Sequence, residues 1–304
     1  MTVALIEKTV EDWLRPKSDN TQRGYRRDLE LWLGYCEQAD VDPLSAVRSD
    51  AEKFRAWLEE NGCADASVAR RMRGASSFYA YAVEESVAER NPFIKASKPK
   101  IDTTFSATVW LSENEAARFL RAAELRVRNE RPGRPAYVTA MRNWAMVSVT
   151  LILGLRTDEV ASLTVGDYTE VAEVMGLNVR GKGGKQVRRT VPPQLAECID
   201  RYLAERGSLR DENPLFATAT GRVVDYKTRY EMVGVIARDA RLPNALSITP
   251  HSLRHTFATL SSKGGASTRN IKRAMAHSSE RTTERYRHDE MDDPSVLMAD
   301  ALLR

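Results

Sequence analysis

Along most of this chain the apolar residues recur three and four apart, and only between Val174 and Val191 does the period fall to two. That switch constrains the fold more than any other feature: it predicts a mainly α protein with a small antiparallel β-sheet. Val174 to Arg180 and Val187 to Val191 read as two strands, joined by Gly181-Lys-Gly-Gly184, a tight turn by composition. On either side the pattern is helical. Asp19 to Gln38 carries Tyr25, Leu29, Trp32, Leu33 and Cys36 on one face. Ser49-Asp-Ala-Glu52 reads as a capping box ahead of Phe54, Trp57 and Leu58, and Ser67 to Glu85 carries Val68, Met72, Ala75, Phe78 and Tyr79.

Asn91-Pro92 closes this first helical unit. Residues 95–109 follow, with Lys95, Lys98 and Lys100 and little apolar periodicity, and read as an extended basic linker. Ser112-Glu-Asn-Glu115 is a second capping box and opens a larger unit. Its helical patterns run to Arg128, from Tyr137 to Gly154 and from Thr157 to Leu163. After the strands they run from Pro193 to Glu205, Asp225 to Ala240, Thr249 to Ser262 and Thr268 to Ala276. The expected organisation is a helical domain over 1–94, the linker, and a second domain over 110–304. The total of 304 residues suits two domains at about 100–200 residues each.

Several function classes drop out. No apolar run approaches the ~18 residues of a membrane-spanning helix, and the first ten residues, with Glu7 and Lys8, do not read as a secretory leader. Cys36, Cys63 and Cys198 are far apart, without metal-ligand spacing, and read as ordinary thiols of a cytoplasmic protein. The net charge of +4 is small, but it is not evenly spread. Ala240 to Ser279 contains no acidic residue while holding Arg241, Arg254, Lys263, Arg269, Lys272 and Arg273. Asn178 to Thr190 is likewise acid-free and holds Arg180, Lys182, Lys185, Arg188 and Arg189. Long stretches of one sign suit a polyanion such as DNA, although a solvated basic face is the plainer reading. The same two readings apply to Arg70, Arg71 and Arg73, opposite the apolar face of their helix.

The polar residues of the second domain suggest one site. Arg156, in Gly154-Leu-Arg-Thr-Asp-Glu159, opens a helix, where free backbone N–H groups also attract anions. Lys182 sits in the Gly-Lys-Gly turn. His251 and Arg254 are three apart on a helix, His277 lies in the next helical stretch, and Tyr286 follows nine residues later. Each element alone is weak; in this order and spacing the chain resembles the tyrosine recombinase (phage integrase) family. The family pattern is an Arg in Gly-Leu-Arg-x-x-Glu, a Lys in a Gly-Lys-Gly hairpin, His-x-x-Arg-His, a later His, and a Tyr nine residues beyond it. All six groups match, and His251-Ser-Leu-Arg-His-Thr-Phe-Ala-Thr259 is especially close. The resemblance covers nearly the whole chain. It implies a SAM-like core-binding domain followed by a catalytic domain, without the arm-binding domain of larger phage integrases.

The chemistry fits these residue types. A tyrosine phenol attacking a phosphodiester forms a covalent intermediate that conserves the bond energy. Charge grows on two non-bridging oxygens, which suit the paired donors of Arg156 and Arg254. Lys182 is the candidate acid for the leaving 5′-oxygen, His251 handles the tyrosine proton, and His277 hydrogen-bonds the phosphate. By resemblance Glu159 orients its neighbours, cleavage leaves a 3′-phosphotyrosine and a free 5′-hydroxyl, and four protomers act on two duplexes. No metal or other cofactor is expected, since no paired carboxylates suit a two-metal nuclease. The expected partners are double-stranded recombination sites and an accessory recombination factor. The candidate DNA contacts are Arg70, Arg71, Arg73, Lys95, Lys98, Arg180, Lys185 and Arg188.

Two positions depart from the family wording: Met275-Ala276 stands where Leu-Gly is common, and Arg287-His288 where Thr-His follows the Tyr. These departures favour integration or excision of a phage or mobile element over Xer-type dimer resolution. A type IB topoisomerase and a DNA-binding protein with a dead site are the remaining rivals. The last eighteen residues carry an apolar stripe, Val296, Leu297, Leu302 and Leu303, that suits docking on a neighbouring protomer or on its own domain.

Overall fold

The computed structural model describes residues 2–99, 109–181, 184, 186–275, 295, 298 and 302, in two units, Met1–Phe105 and Ser106–Arg304.

The first unit is built from α1 (Thr2–Leu14), α2 (Asp19–Gln38), α3 (Arg48–Glu60) and α4 (Asp65–Glu84). α1 was not anticipated, although it buries Ile6, Val10, Trp13 and Leu14 at helical spacing. Its Trp13 stacks on Tyr25 at 5.1 Å and meets Phe78 edge-on. Deeper in this core, the Trp32 indole N–H donates to the Tyr79 hydroxyl at 2.8 Å, which donates to the Pro43 carbonyl at 2.5 Å. Two bulky aromatics are thereby buried without an orphaned polar atom. The capping box expected at Ser49 and Glu52 does not form. The helix starts earlier, because the Asp50 carboxylate accepts the Val47 N–H at 3.0 Å, and Glu52 pairs instead with Arg48. Past Asn91 the chain still belongs to this core: Phe93 and Ala96 are buried, and Arg55 donates to Ser97.

The second unit opens on the expected capping box. Ser112 N–H donates to Glu115 and Glu115 N–H donates to the Ser112 hydroxyl, starting α5 (Glu113–Arg128). Next comes α6 (Pro135–Leu153), apolar along most of its length, with Met141, Ala145, Val149, Ile152 and Leu153 buried. It packs against α5, α8 (Pro193–Ala204) and α10 (Pro250–Lys263) and is the central helix of this core. α7 (Thr157–Ser162) is one short turn beyond it, and α9 (Tyr226–Asp239) packs on α5 and α7. α11 (Thr268–Ala274) follows α10.

The sheet has three antiparallel strands in the order β1 (Tyr168–Val171), β2 (Val174–Arg180), β3 (Gln186–Thr190). β2 and β3 are the two strands read from the period change. β1 was missed. It turns into β2 through Ala172 and Glu173, both at positive φ (51° and 63°), where a Gly or Asn would have marked the hairpin. Of the C-terminal apolar residues, Leu302 is described; with Met298 it is buried in this unit's own core, whereas Val296, Leu297 and Leu303 lie outside the described residues.

Candidate active site

The site is assembled where α6 ends. Gly154 leaves the helix at φ +64°, and a side chain there would place its Cβ 2.3 Å from the Phe257 ring of α10. Only glycine allows both the left-handed turn and this close approach. The turn delivers Arg156 to the head of α7. Its backbone N–H donates to Glu159 Oε2 at 2.7 Å, and its guanidinium donates to Glu159 Oε1 at 2.6 Å. Glu159 is buried, while Arg156 keeps about two-fifths of its side chain (39%) exposed. A buried carboxylate thus fixes the arginine at the head of α7.

α10 supplies the other half. Thr249 caps it reciprocally with Ser252, and Pro250 occupies its first turn. The Thr256 hydroxyl accepts the Leu111 N–H at 2.8 Å, tying the helix to the start of α5. Arg254 is buried and spans two segments: it donates to the Gly154 carbonyl at 2.5 Å and to the Met275 carbonyl, and Glu159 Oε2 lies 3.8 Å from it. Burial, with Arg156 nearby, brings its guanidinium pKa down to about 10, so it stays charged at neutral pH. One turn earlier, His251 is held below the ordinary imidazole range by burial, then by His255, Arg254 and Arg156. It is therefore neutral at pH 7, as a proton acceptor must be.

The structure thus brings Arg156, Glu159, His251 and Arg254 together from two distant parts of the chain. Lys182, Lys185, His277 and Tyr286 lie outside the described residues. Sequence reasoning assigned no role to two residues beside this group. His255 Nε2 lies 3.1 Å from His251 Nε2; the i, i+4 spacing was its signal. Arg189 was counted as part of a basic stretch, yet it is buried. It donates to the carbonyls of Leu153 and Ala274 and to the Ser295 hydroxyl. Its signal was alternation: in β3 it shares a face with Val187 and Val191.

The expected DNA contacts are distributed as follows. In the first unit Arg70 pairs at 2.6 Å with Asp28, which is buried and whose carboxyl is pushed up by that burial despite the arginine. Arg71 donates to the Cys63 thiol and Arg73 to the Ala69 carbonyl of its own helix. Lys95 and Lys98 are exposed. In the second unit Arg180 is exposed at the end of β2, and Arg188 lies back along the sheet, donating to Thr169 and to the Val174 carbonyl. Among the described residues no group of three His, Cys, Asp or Glu could hold a metal ion, and no helix is long and apolar enough to cross a membrane.

Comparison with known proteins agrees with this architecture. Residues 110–293 match the phage integrase family, and residues 14–86 match the phage integrase N-terminal SAM-like domain. Tyrosine recombinase XerD of Oceanobacillus iheyensis is 29% identical, over 93% of this chain and 94% of its own length. XerD of Pseudomonas putida is 30% identical, over 91% of this chain and 89% of its own. The crystal structure of XerH site-specific recombinase bound to difH substrate, a pre-cleavage complex, shares the fold, with a TM-score of 0.68 at 20% identity over 90% of this chain and 77% of that one. The chain belongs to the phage integrase family: it is a tyrosine recombinase, an enzyme that cuts and rejoins DNA.

Proposed function

We propose that this recombinase carries out reciprocal exchange between two short duplex sites, with Tyr286 as nucleophile and a 3′-phosphotyrosine as intermediate. The observation that supports it most is the buried Glu159 carboxylate engaging both Arg156 and Arg254 beside a neutral His251. Two guanidiniums drawn to one carboxylate are preorganised for the charge that develops on a phosphorane-like transition state. In this reading they hold the non-bridging oxygens, and His251 removes the phenolic proton. Lys182 protonates the leaving 5′-oxygen and His277 hydrogen-bonds the phosphate. Four protomers act on two duplexes, and the free 5′-hydroxyl of the partner duplex reseals each strand.

A nicked suicide duplex tests the chemistry. Wild-type protein is expected to accumulate a covalent adduct, and Tyr286→Phe none; equal adduct from both would overturn the nucleophile assignment. A plasmid with two copies of the site separates recombination from relaxation, since a topoisomerase would leave flanking DNA unexchanged.

For the biological role, the Xer names of the two curated relatives, matched over about nine-tenths of their length, favour resolution of circular DNA dimers. The departures at Met275-Ala276 and Arg287-His288 favour the second reading, integration or excision of a mobile element. Sequencing the host DNA trapped in covalent adducts decides between them. A resident chromosomal site supports the first; the ends of a mobile element support the second.

A further inference from the structure

His255 has no part in the chemistry above, yet among the described residues it is the hydrogen-bond partner of the His251 ring. The two Nε2 atoms are 3.1 Å apart, and the rings meet edge to face with centroids 4.6 Å apart. Such a contact carries one hydrogen: one ring donates and the other accepts. It also occupies Nε2 of His251, which leaves Nδ1 as the nitrogen available to a substrate-side proton.

Burial and Arg254 oppose positive charge on both rings, and further groups oppose it on His251. His251 is the second residue of α10, where the unpaired N–H groups of the helix head oppose an imidazolium. Arg156, at the head of α7, and Arg254, on α10 itself, both act against charge on His251. His255 stands a full turn further from the helix head, with burial and Arg254 acting on it. Glu159 of α7 is already engaged by both arginines.

We propose that His255 is a positioning and relay residue that receives the proton His251 gives up when it deprotonates the nucleophilic tyrosine. This rests on the reading of Tyr286 and His251 given above. The bond from the phenolic oxygen to phosphorus forms as the P–O5′ bond breaks, and the 5′-oxygen takes a proton from Lys182. The phenolic proton passes to His251 Nδ1 while the His251 Nε2 proton passes to His255 Nε2. His251 ends neutral with its hydrogen on Nδ1, and His255 ends as the imidazolium, one turn removed from the helix head. Resealing reverses each transfer.

The test uses full-length protein on the nicked duplex, comparing His255→Ala and His255→Gln with wild type. Single-turnover adduct formation is followed between about pH 5.5 and 8.5, and DNA affinity is measured alongside by band shift. The alanine variant is expected to bind DNA as wild type does and to form adduct about 10- to 100-fold more slowly near neutral pH, part of the range a general base supplies. Imidazole in solution should restore part of that rate, in proportion to its neutral fraction. The glutamine variant, which hydrogen-bonds but cannot accept a proton, should stay slow. Wild-type rates in both variants, a slow alanine variant that imidazole leaves unchanged, or full rescue by glutamine would each overturn the relay. Tyr286→Phe run in parallel separates the two readings: adduct from that variant removes the nucleophile assignment, whereas its absence leaves the His255 result to judge the relay alone.

Discussion

At the scale of single residues, the site depends on Glu159. Its carboxylate accepts from the Arg156 backbone and guanidinium, so it sets where that cation points, and it lies 3.8 Å from Arg254. Glu159→Gln keeps the shape but loses the charge. Since small misplacements of catalytic groups can cost on the order of 10² in rate, adduct formation is expected to fall by about that factor while DNA affinity holds, a split that single-turnover kinetics and band shifts will show. His251 adds a pH prediction with a definite sign. Its pKa is lowered, so the neutral base persists as pH falls through the ordinary imidazole value of about 6.5. The acid limb of the adduct-rate profile should therefore lie below that value, and His251→Ala should abolish it. These residues were legible in the sequence because spacing along a helix and order along the chain name them. The main-chain partners of Arg254 were not, since carbonyls such as those of Gly154 and Met275 leave no mark in a residue pattern.

At the scale of elements, the end of α6 decides whether the site forms. Gly154 joins a left-handed turn to a close approach by Phe257, and the same turn presents its carbonyl to Arg254. Gly154→Ala meets both obstacles, a strained φ at about 1–3 kcal/mol and overpacking of similar size. Urea unfolding is expected to show a loss of about 2–6 kcal/mol, with adduct formation reduced in the fraction that stays folded. The long helices were predictable because their apolar faces are strongly periodic. α1 was overlooked although its face was present, and β1 was hidden because Ala172 and Glu173 adopt turn conformations that their side chains do not advertise. The start of α3 was misplaced by two similar candidate caps. Asp50 reaches the Val47 N–H, and Glu52 is drawn off by Arg48.

At the scale of the whole molecule, charge is the property most changed by folding. The net +4 and the two acid-free stretches suggested cations gathered on a face for DNA. Folding divides them: Arg189 and Arg254 turn inward to carbonyls, Arg188 lies along the sheet, and Arg180 remains exposed. Arg180→Ala should therefore weaken binding uniformly across DNA sequences. It should also reduce the slope of log affinity against log salt by about 0.9, one phosphate's share, which titrations at several salt concentrations will show; an unchanged slope would remove Arg180 from the interface. By itself, the sequence determined the two-part helical organisation and the pairing of β2 with β3, and it named the candidate catalytic groups, because periodicity and spacing are properties of the chain. Tertiary structure alone decided which cations face an anion and which are spent on the interior. A basic residue's role depends on the carbonyl or carboxylate that folding sets opposite it, and among the described residues those partners come from as far as 113 residues away, as Asp239 does for Arg126.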